Sequence, residues 1–252
     1  MKQQPQFSGP VQGVILAAGK GTRMKSDLPK VLHRLLGRTL LDHVLDTAAA
    51  AGITDCVVVI GHEADLVRRT CARPGLKFVV QQPQLGTGHA VQTAVPELAA
   101  DGLCVVLAGD VPLLKAETLE RLVERARRGD AAAVVLTCVV PDAGAYGRIL
   151  KDETGAVTGI VEARDATEEQ LAIREYNTGV FCYRTRDLRE SLANLTPDNS
   201  QGEYYLTDTV ADLVARGLRV EAVSIADAGE VVGINTAEEL EAAERLLARR
   251  KD

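Results

Sequence analysis

The sequence predicts an α/β fold, a mostly parallel central sheet flanked by helices, and three observations predict it. Short β-branched runs alternate with longer segments of helical period along most of the chain, the signature of βαβ units. The first apolar run, VQGVILAAG, passes directly into a glycine-rich loop, KGTRMKSDLPK, at the strand end where open parallel sheets bind ligands. With 252 residues and 46% apolar content, the chain can bury one large core, which fits neither disorder nor a repeat array.

Taken in order, the alternation assigns a strand at 12–17, a helix at 40–51, a strand at 55–60, a helix at 64–70 and a strand at 77–80. A helix at 89–94 stopped by Pro96, a strand at 103–108, a helix at 116–127 and a strand at 131–139 continue it. After Pro141 the stretch PDAGAYGRILKDETGAVTGIVEARDA has glycine turns and short strands, with a hairpin tip at 152–155. This segment, about 141–175, is expected to be a small β-rich insertion forming a lid. A strand at 175–183, helices near 185–192 and 204–216, and a strand at 220–225 then resume the αβ order. The last helix starts at Thr236, where the spacing to Glu239 makes a capping box, and its acidic start and basic end suit the helix dipole. Leu240, Ala243 and Leu247 on it form an apolar stripe that reads as packing. The expected organisation is a polar tail over 1–11, a Rossmann-like domain over 12–236 and a C-terminal helix over 237–252.

Composition excludes several classes of function. The 29 Lys and Arg against 35 Asp and Glu give a net charge of −6 with no long block of either sign, so nucleic acid is not an expected partner. Without Trp and with 3% aromatic residues there is little surface for stacking, so a sugar would be held by hydrogen bonds. Cys56, Cys71, Cys104, Cys138 and Cys182 show no metal-binding spacing and read as reduced core thiols. The polar start, MKQQPQFSGP, lacks a signal peptide, and nowhere do about 18 apolar residues run together, so a cytoplasmic address with no membrane partner is expected.

Two familiar phosphate motifs fail at the glycine loop. Gly19 and Gly21 open a GxG, but Met24 occupies the third glycine position, and Arg23 and Met24 break GxxxxGK[ST]. The loop still offers backbone N–H groups beside its glycines, with Lys20, Arg23, Lys25 and Lys30 close by, a supply of dipole and cation for a polyphosphate. Judged alone, it also fits a solvated loop. Asp110 follows the apolar run LCVVLA, at the same sheet edge if the two strands are parallel. A carboxylate there can face phosphates, and Mg²⁺ commonly takes only one or two protein oxygens beside substrate oxygens and water.

The ordered motifs LAAGKGTRM, LPKVLH, QQPQLGTGHA, GDVPL, YGRI, GIVEARDAT, EYNTGV and QGEYYLTD make the chain resemble the sugar nucleotidyltransferases. Within them it is most similar to the uridyltransferase domains that make UDP-N-acetylglucosamine, over about residues 14–235. The resemblance implies UTP and a sugar 1-phosphate as substrates, N-acetylglucosamine 1-phosphate foremost, with Mg²⁺ as cofactor and pyrophosphate as the second product. It implies Arg23 and Lys30 as catalytic residues and, as metal ligands, Asp110 and the Asn235 of VVGIN, which follows the strand-like Val231 and Val232. To the nucleotide it assigns Leu16, Ala17, Ala18, Gly19, Gly21, Gln81, Gly86, Thr87 and Gly109, of which Gln81, Gly86 and Thr87 read uracil. To the sugar it assigns Gly147, Glu162, Asn177, Tyr205 and Thr207, with the lid on the sugar side.

Local readings remain open beside these. Asp110 can also be read as a turn residue before Pro112 and Asn235 as a residue beside its helix, while Glu162 is equally a solvated strand end, Asn177 a turn cap and Tyr205 core packing. His89 has no acid or Ser partner in any motif and reads as a helix-start residue; His33, His43 and His62 carry no motif either. Two departures stand out: Ala108 where many relatives have an aromatic, and Ala163 and Arg164 after Glu162, where the rim of the sugar pocket can differ. The chain has none of the hexapeptide repeats of the acetyltransferase half of bifunctional relatives. A free-standing uridyltransferase and an excised domain are both open, as is a homo-oligomer. Another sugar or base, or a catalytically silent nucleotide-sugar sensor, are the alternatives; the full charged set argues against silence.

Overall fold

A computed structural model describes residues 7–249. Residues 1–6 of the expected tail and 250–252 of the expected C-terminal helix lie outside the described residues.

In chain order the elements are β1 (Val11–Ala17), a ribbon of β2 (Arg34–Leu35) and β3 (Arg38–Thr39), α1 (Leu40–Ala50), β4 (Asp55–Ile60), α2 (Ala64–Cys71) and β5 (Lys77–Val80). They continue with α3 (Thr87–Ala94), β6 (Leu103–Ala108), α4 (Ala116–Arg128), β7 (Ala133–Val139), β8 (Arg148–Lys151), β9 (Val157–Val161) and α5 (Glu168–Leu171). The last are β10 (Glu175–Arg184), α6 (Thr185–Ala193), α7 (Asp208–Ala215), β11 (Val220–Ile225) and α8 (Ala237–Arg249). The main sheet runs β11-β7-β10-β6-β1-β4-β5. Its pairs are parallel except where β10 lies antiparallel between β6 and β7.

Helices cover both faces of this sheet, which is why its central strands are continuous apolar runs with no polar alternation. Val57, Val58, Val59, Val105 and Val106 all have 0% exposure. Successive residues serve opposite layers: Ile15 belongs to the core shared with α1, α2 and α4, and Val14 to the core shared with α3, α6 and α7. All five cysteines are free and buried in these layers. Burial pushes the Cys56 thiol up to about 11 and the Cys104 thiol up to about 12, so both are inert core groups at neutral pH.

The expected α/β architecture is present, with four local differences. The strand from Glu175 does not continue the parallel order, because the chain enters it from the insertion and must run back across the sheet. The insertion's hairpin, β8 with β9, is an extension of the main sheet, joined to it at Tyr176 opposite Arg148. The helix expected from 204 begins at Asp208, because the backbone of Tyr204 is bonded to the 81–88 loop: Tyr204 N–H donates to Leu85 O at 2.8 Å, and Gly88 N–H donates to Tyr204 O at 2.7 Å. Val231 and Val232 form no strand; they follow a short 3₁₀ turn, Ala228–Glu230, held to α4 by Thr118 Oγ1 donating to the buried Glu230 carboxylate at 2.6 Å.

The capping box of the last helix forms as expected, with Glu239 N–H donating to Thr236 Oγ1 at 3.2 Å and Thr236 N–H to Glu239 Oε2 at 3.1 Å. Ala243, Leu240 and Leu247 pack with Leu35, Leu113 and Ile234. The helix thereby pins the segment that carries Asn235. No helix among the described residues is long and apolar enough to cross a membrane.

Candidate active site

Register brings the loops that matter to one edge. Leu16 of β1 pairs with Ala108 of β6, Ala17 with Ile60 of β4, and Ile60 with Val80 of β5, so the loops after these strands start side by side. The strand order reverses at β1, which has β6 on one side and β4 on the other. That is the switch point at which such sheets leave a crevice. Because β10 is antiparallel, its first residues, Glu175 to Asn177, reach the same edge.

Two cavities open there, of about 380 Å³ and about 320 Å³, and they share Leu16, Thr87, Ala108 and Asp110 as a common wall. The first also takes in Ala17, Ala18, Gly19, Lys30, Gln81 and Gly86. Its floor is tightly built: a Cβ on Gly86, whose φ is 109°, would lie 2.6 Å from Tyr204 O, so only glycine fits that corner. Thr87 Oγ1 accepts from Leu206 N–H at 3.0 Å, and Gln84 Nε2 donates to Ala18 O at 2.5 Å, tying the 81–88 loop to its neighbours. Gln81 is 5% exposed; its Nε2 donates to Gly86 O at 2.9 Å and lies 3.2 Å from His89 Nδ1.

The second cavity takes in Arg23, Gly147, Glu162, Asn177, Thr207 and Asn235. Glu162 Oε1 accepts from Thr207 Oγ1 at 2.9 Å. Burial pushes the Glu162 carboxyl up, helped by the negative Asp208 and Asp165, against the lowering effect of that hydrogen bond. Gly147 O accepts from Asn177 N–H at 2.8 Å, and a Cβ on Gly147 would sit 3.1 Å from Ile160 Cγ2, which makes this a close-packed wall beside Glu162. Asn177 Oδ1 accepts from Gly179 N–H at 3.0 Å, which leaves its Nδ2 as the group to offer a ligand. Tyr146 stacks on Tyr176 with ring centroids 4.6 Å apart and forms one rim.

A charged cluster sits where the cavities meet. Lys30 Nζ bonds Asp110 Oδ2 and donates to Asn235 Oδ1 at 3.0 Å, and Arg23 donates to the same Oδ1 at 2.8 Å. Ile234 N–H donates to Asp110 O at 2.9 Å, locking the Asn235 segment to the loop after β6. Asp110 and Asn235 therefore present two hard oxygen donors side by side. No cluster of three or more His, Cys, Asp or Glu poised for a metal exists among the described residues. The donor set suits a hard divalent cation that draws its remaining ligands from phosphate and water.

Most of the expected site residues thus converge. Gly21, Gly109 and Tyr205 line neither cavity. Gly21 (φ 64°) lies against Lys30, where a Cβ would be 2.5 Å from the lysine's own, and Gly109 N–H donates to Leu16 O at 2.9 Å. Tyr205 is buried with its hydroxyl accepting from Gln201 at 2.7 Å, the core-packing alternative. Lys20 and Lys25 stay exposed outside both cavities. The sequence reading gave no role to Gln84, Tyr146 or Gly233, and it read His89, which lies within QQPQLGTGHA, only as a helix-start residue.

A crevice with a cation cluster and paired oxygen donors, at the switch point of a mixed sheet, has the layout a nucleotidyltransferase requires. The chain belongs to the MobA-like NTP transferase domain family, whose profile matches residues 13–213. It is 50% identical over 236 residues to the bifunctional protein GlmU of Paraburkholderia xenovorans, covering 94% of this chain and 52% of that protein. It is 46% identical over 241 residues to GlmU of Brevibacillus brevis and 44% identical over 239 residues to that of Clostridioides difficile, each match covering 95% of this chain and 52% of the relative. The chain spans about half the length of these curated relatives.

Proposed function

We propose that the chain makes UDP-N-acetylglucosamine and pyrophosphate from UTP and N-acetylglucosamine 1-phosphate, as an N-acetylglucosamine-1-phosphate uridyltransferase. The observation that carries this reading is the pair of cavities meeting at the Lys30, Arg23, Asp110 and Asn235 cluster: one suits a base and its phosphates, the other a sugar, with charge neutralisation between them. The likeness to GlmU proteins adds the choice of substrates.

The attacking sugar phosphate oxygen is already ionised at neutral pH, so the protein needs no general base and no covalent intermediate. It attacks the α-phosphorus in line with the departing pyrophosphate. Lys30 and Arg23 hold the triphosphate and oppose the charge that builds on it. Asp110 and Asn235 would hold Mg²⁺, which supplies charge neutralisation at the phosphate oxygens when bound. Gln81 offers its side-chain oxygen to the base edge, with Gly86 and Thr87 beside it, and Leu16, Ala17, Ala18 and Gly19 line the nucleotide's path. Glu162, which can accept a hydrogen bond, and Asn177 Nδ2, which can donate one, match the hydroxyl and N-acetyl groups of the sugar, while Thr207 holds Glu162 in position and Gly147 lies beside it. The main domain at 12–236, its lid at about 141–175 and a cytoplasmic setting belong to the same reading; the buried thiols suit a reducing compartment.

The test is pyrophosphate release with Mg²⁺ over a matrix of triphosphates and sugar phosphates. UTP with N-acetylglucosamine 1-phosphate should give the highest kcat/KM. A clear preference for glucose 1-phosphate or another base would replace the substrates, and no release with any pair would leave a binding protein.

A further inference from the structure

We infer that His89 is a positioning residue that fixes the hydrogen-bonding face of Gln81, and so sets the choice between uracil and cytosine. The inference rests on the proposed uridyltransferase reading and concerns its base specificity.

The Gln81 amide is oriented by two acceptors. Gly86 O is a backbone carbonyl and can only accept, so the amide atom 2.9 Å from it must be Nε2. The same Nε2 lies 3.2 Å from His89 Nδ1, so that ring nitrogen must accept as well. This requires a neutral imidazole with its hydrogen on the far nitrogen. The amide has two N–H hydrogens, and these two partners use both.

What remains for the cavity is Oε1 alone. Among the described residues no protein donor meets Gln81 Oε1, although the side chain lines the first cavity. Uracil carries a hydrogen on its ring N3, whereas cytosine has a lone pair there. An oxygen with no movable hydrogen beside it accepts from the first and repels the second. Gly86 O by itself would occupy only one amide hydrogen; the other could turn to a cytosine acceptor. His89 removes that freedom.

The ring is held where this bond needs it. His89 lies in the first turn of α3 and faces Tyr204, with ring centroids 6.4 Å apart at 41°. Tyr204 O in turn accepts from Gly88 N–H at 2.7 Å, so the strip that flanks the ring is bonded to the turn that carries it. The helix-start reading of His89 holds, and Gln81 is added to it as a specific partner.

The test compares kcat/KM for UTP and CTP, each with N-acetylglucosamine 1-phosphate, in wild type, His89→Phe and His89→Asn. Phe keeps the ring but offers no acceptor; the Asn side-chain oxygen restores one on the side of Nδ1. His89→Phe should lose UTP preference about tenfold, the worth of one buried hydrogen bond, chiefly through a higher kcat/KM for CTP. His89→Asn should recover most of the preference, which a merely structural role would not produce. If the Phe variant melts well below wild type, His89→Leu takes its place. A Phe or Leu variant that keeps full selectivity, or an Asn variant as unselective as Phe, overturns the role of His89 while the uridyltransferase reading stands. A wild type that does not distinguish UTP from CTP overturns both.

Discussion

Replacing Asp110 with Asn changes one atom at the junction of the cavities and should nearly abolish pyrophosphate release. The cluster holds two cations, Arg23 and Lys30, against one carboxylate and one amide oxygen. The substitution raises its net charge from one positive to two, and leaves a divalent cation two neutral oxygens. An electrostatic contribution of this kind at the reacting phosphate is worth about 3–5 kcal/mol, roughly two to four orders of magnitude in rate. The fold should hardly notice. Lys30 and Asp110 both line the open first cavity and not the apolar core, and without the carboxylate Lys30 retains Asn235 Oδ1 at 3.0 Å. The expected stability loss is about 1 kcal/mol, or a Tm lower by about 2–4 °C. The assay is pyrophosphate release at saturating UTP and sugar phosphate, with a thermal melt of the same sample. Asn235→Ala should act in the same direction but more weakly and be partly rescued by raised Mg²⁺, and the double mutant should be strongly non-additive because both residues serve one ion. An Asp110→Asn enzyme within about tenfold of wild-type turnover at ordinary Mg²⁺ would refute the metal assignment and most of the mechanism with it.

Three further outcomes are expected. Gln81→Ala should erode UTP-over-CTP selectivity by about 1–3 kcal/mol while costing less in turnover; unchanged selectivity in a kcat/KM comparison would shift base reading to Gly86 and Thr87. Burial raises the folded-state pKa of Glu162, so on acidification it takes up its proton at a higher pH than an ordinary glutamate. Since a sugar hydroxyl needs the ionised acceptor, KM for the sugar phosphate should climb as pH falls through that raised pKa, and Glu162→Gln should flatten the climb. A wild-type KM independent of pH on the acid side would contradict this. Gly86→Ala should cost about 1–3 kcal/mol of stability and weaken UTP binding, because φ is 109° and the new methyl would meet Tyr204 O at 2.6 Å; a melt and affinity equal to wild type would show that the corner can relax.

Local pattern carried the element positions well where burial dictates it. The strands at Asp55–Ile60, Lys77–Val80, Leu103–Ala108 and Val220–Ile225 keep the bounds expected from their apolar runs, since β-branched runs bounded by turn residues mark strand ends directly. The Thr236 and Glu239 capping box was legible for a similar reason, both partners lying within one helical turn. The direction of β10 was not, because hydrophobic period is the same for parallel and antiparallel strands. Nor was the late start of α7, since nothing near Tyr204 in sequence announces that its backbone bonds to Leu85 and Gly88.

The candidate site divides along the same line. The sequence by itself determined which chemical groups were on offer: a glycine loop rich in cations after the first strand, a carboxylate after the apolar run of β6, and an ordered set of motifs pointing to nucleotidyl transfer. Only the tertiary structure decided which of them meet. It sets Arg23 against Asn235, 212 positions apart, at 2.8 Å, and leaves Lys20 and Lys25 of the same loop in water. It withdraws Tyr205 into the core and turns His89 toward Gln81. The physical reason is that a side chain's chemistry is local, whereas its partner is chosen by strand register and crossover, which bring distant loops to one edge of the sheet.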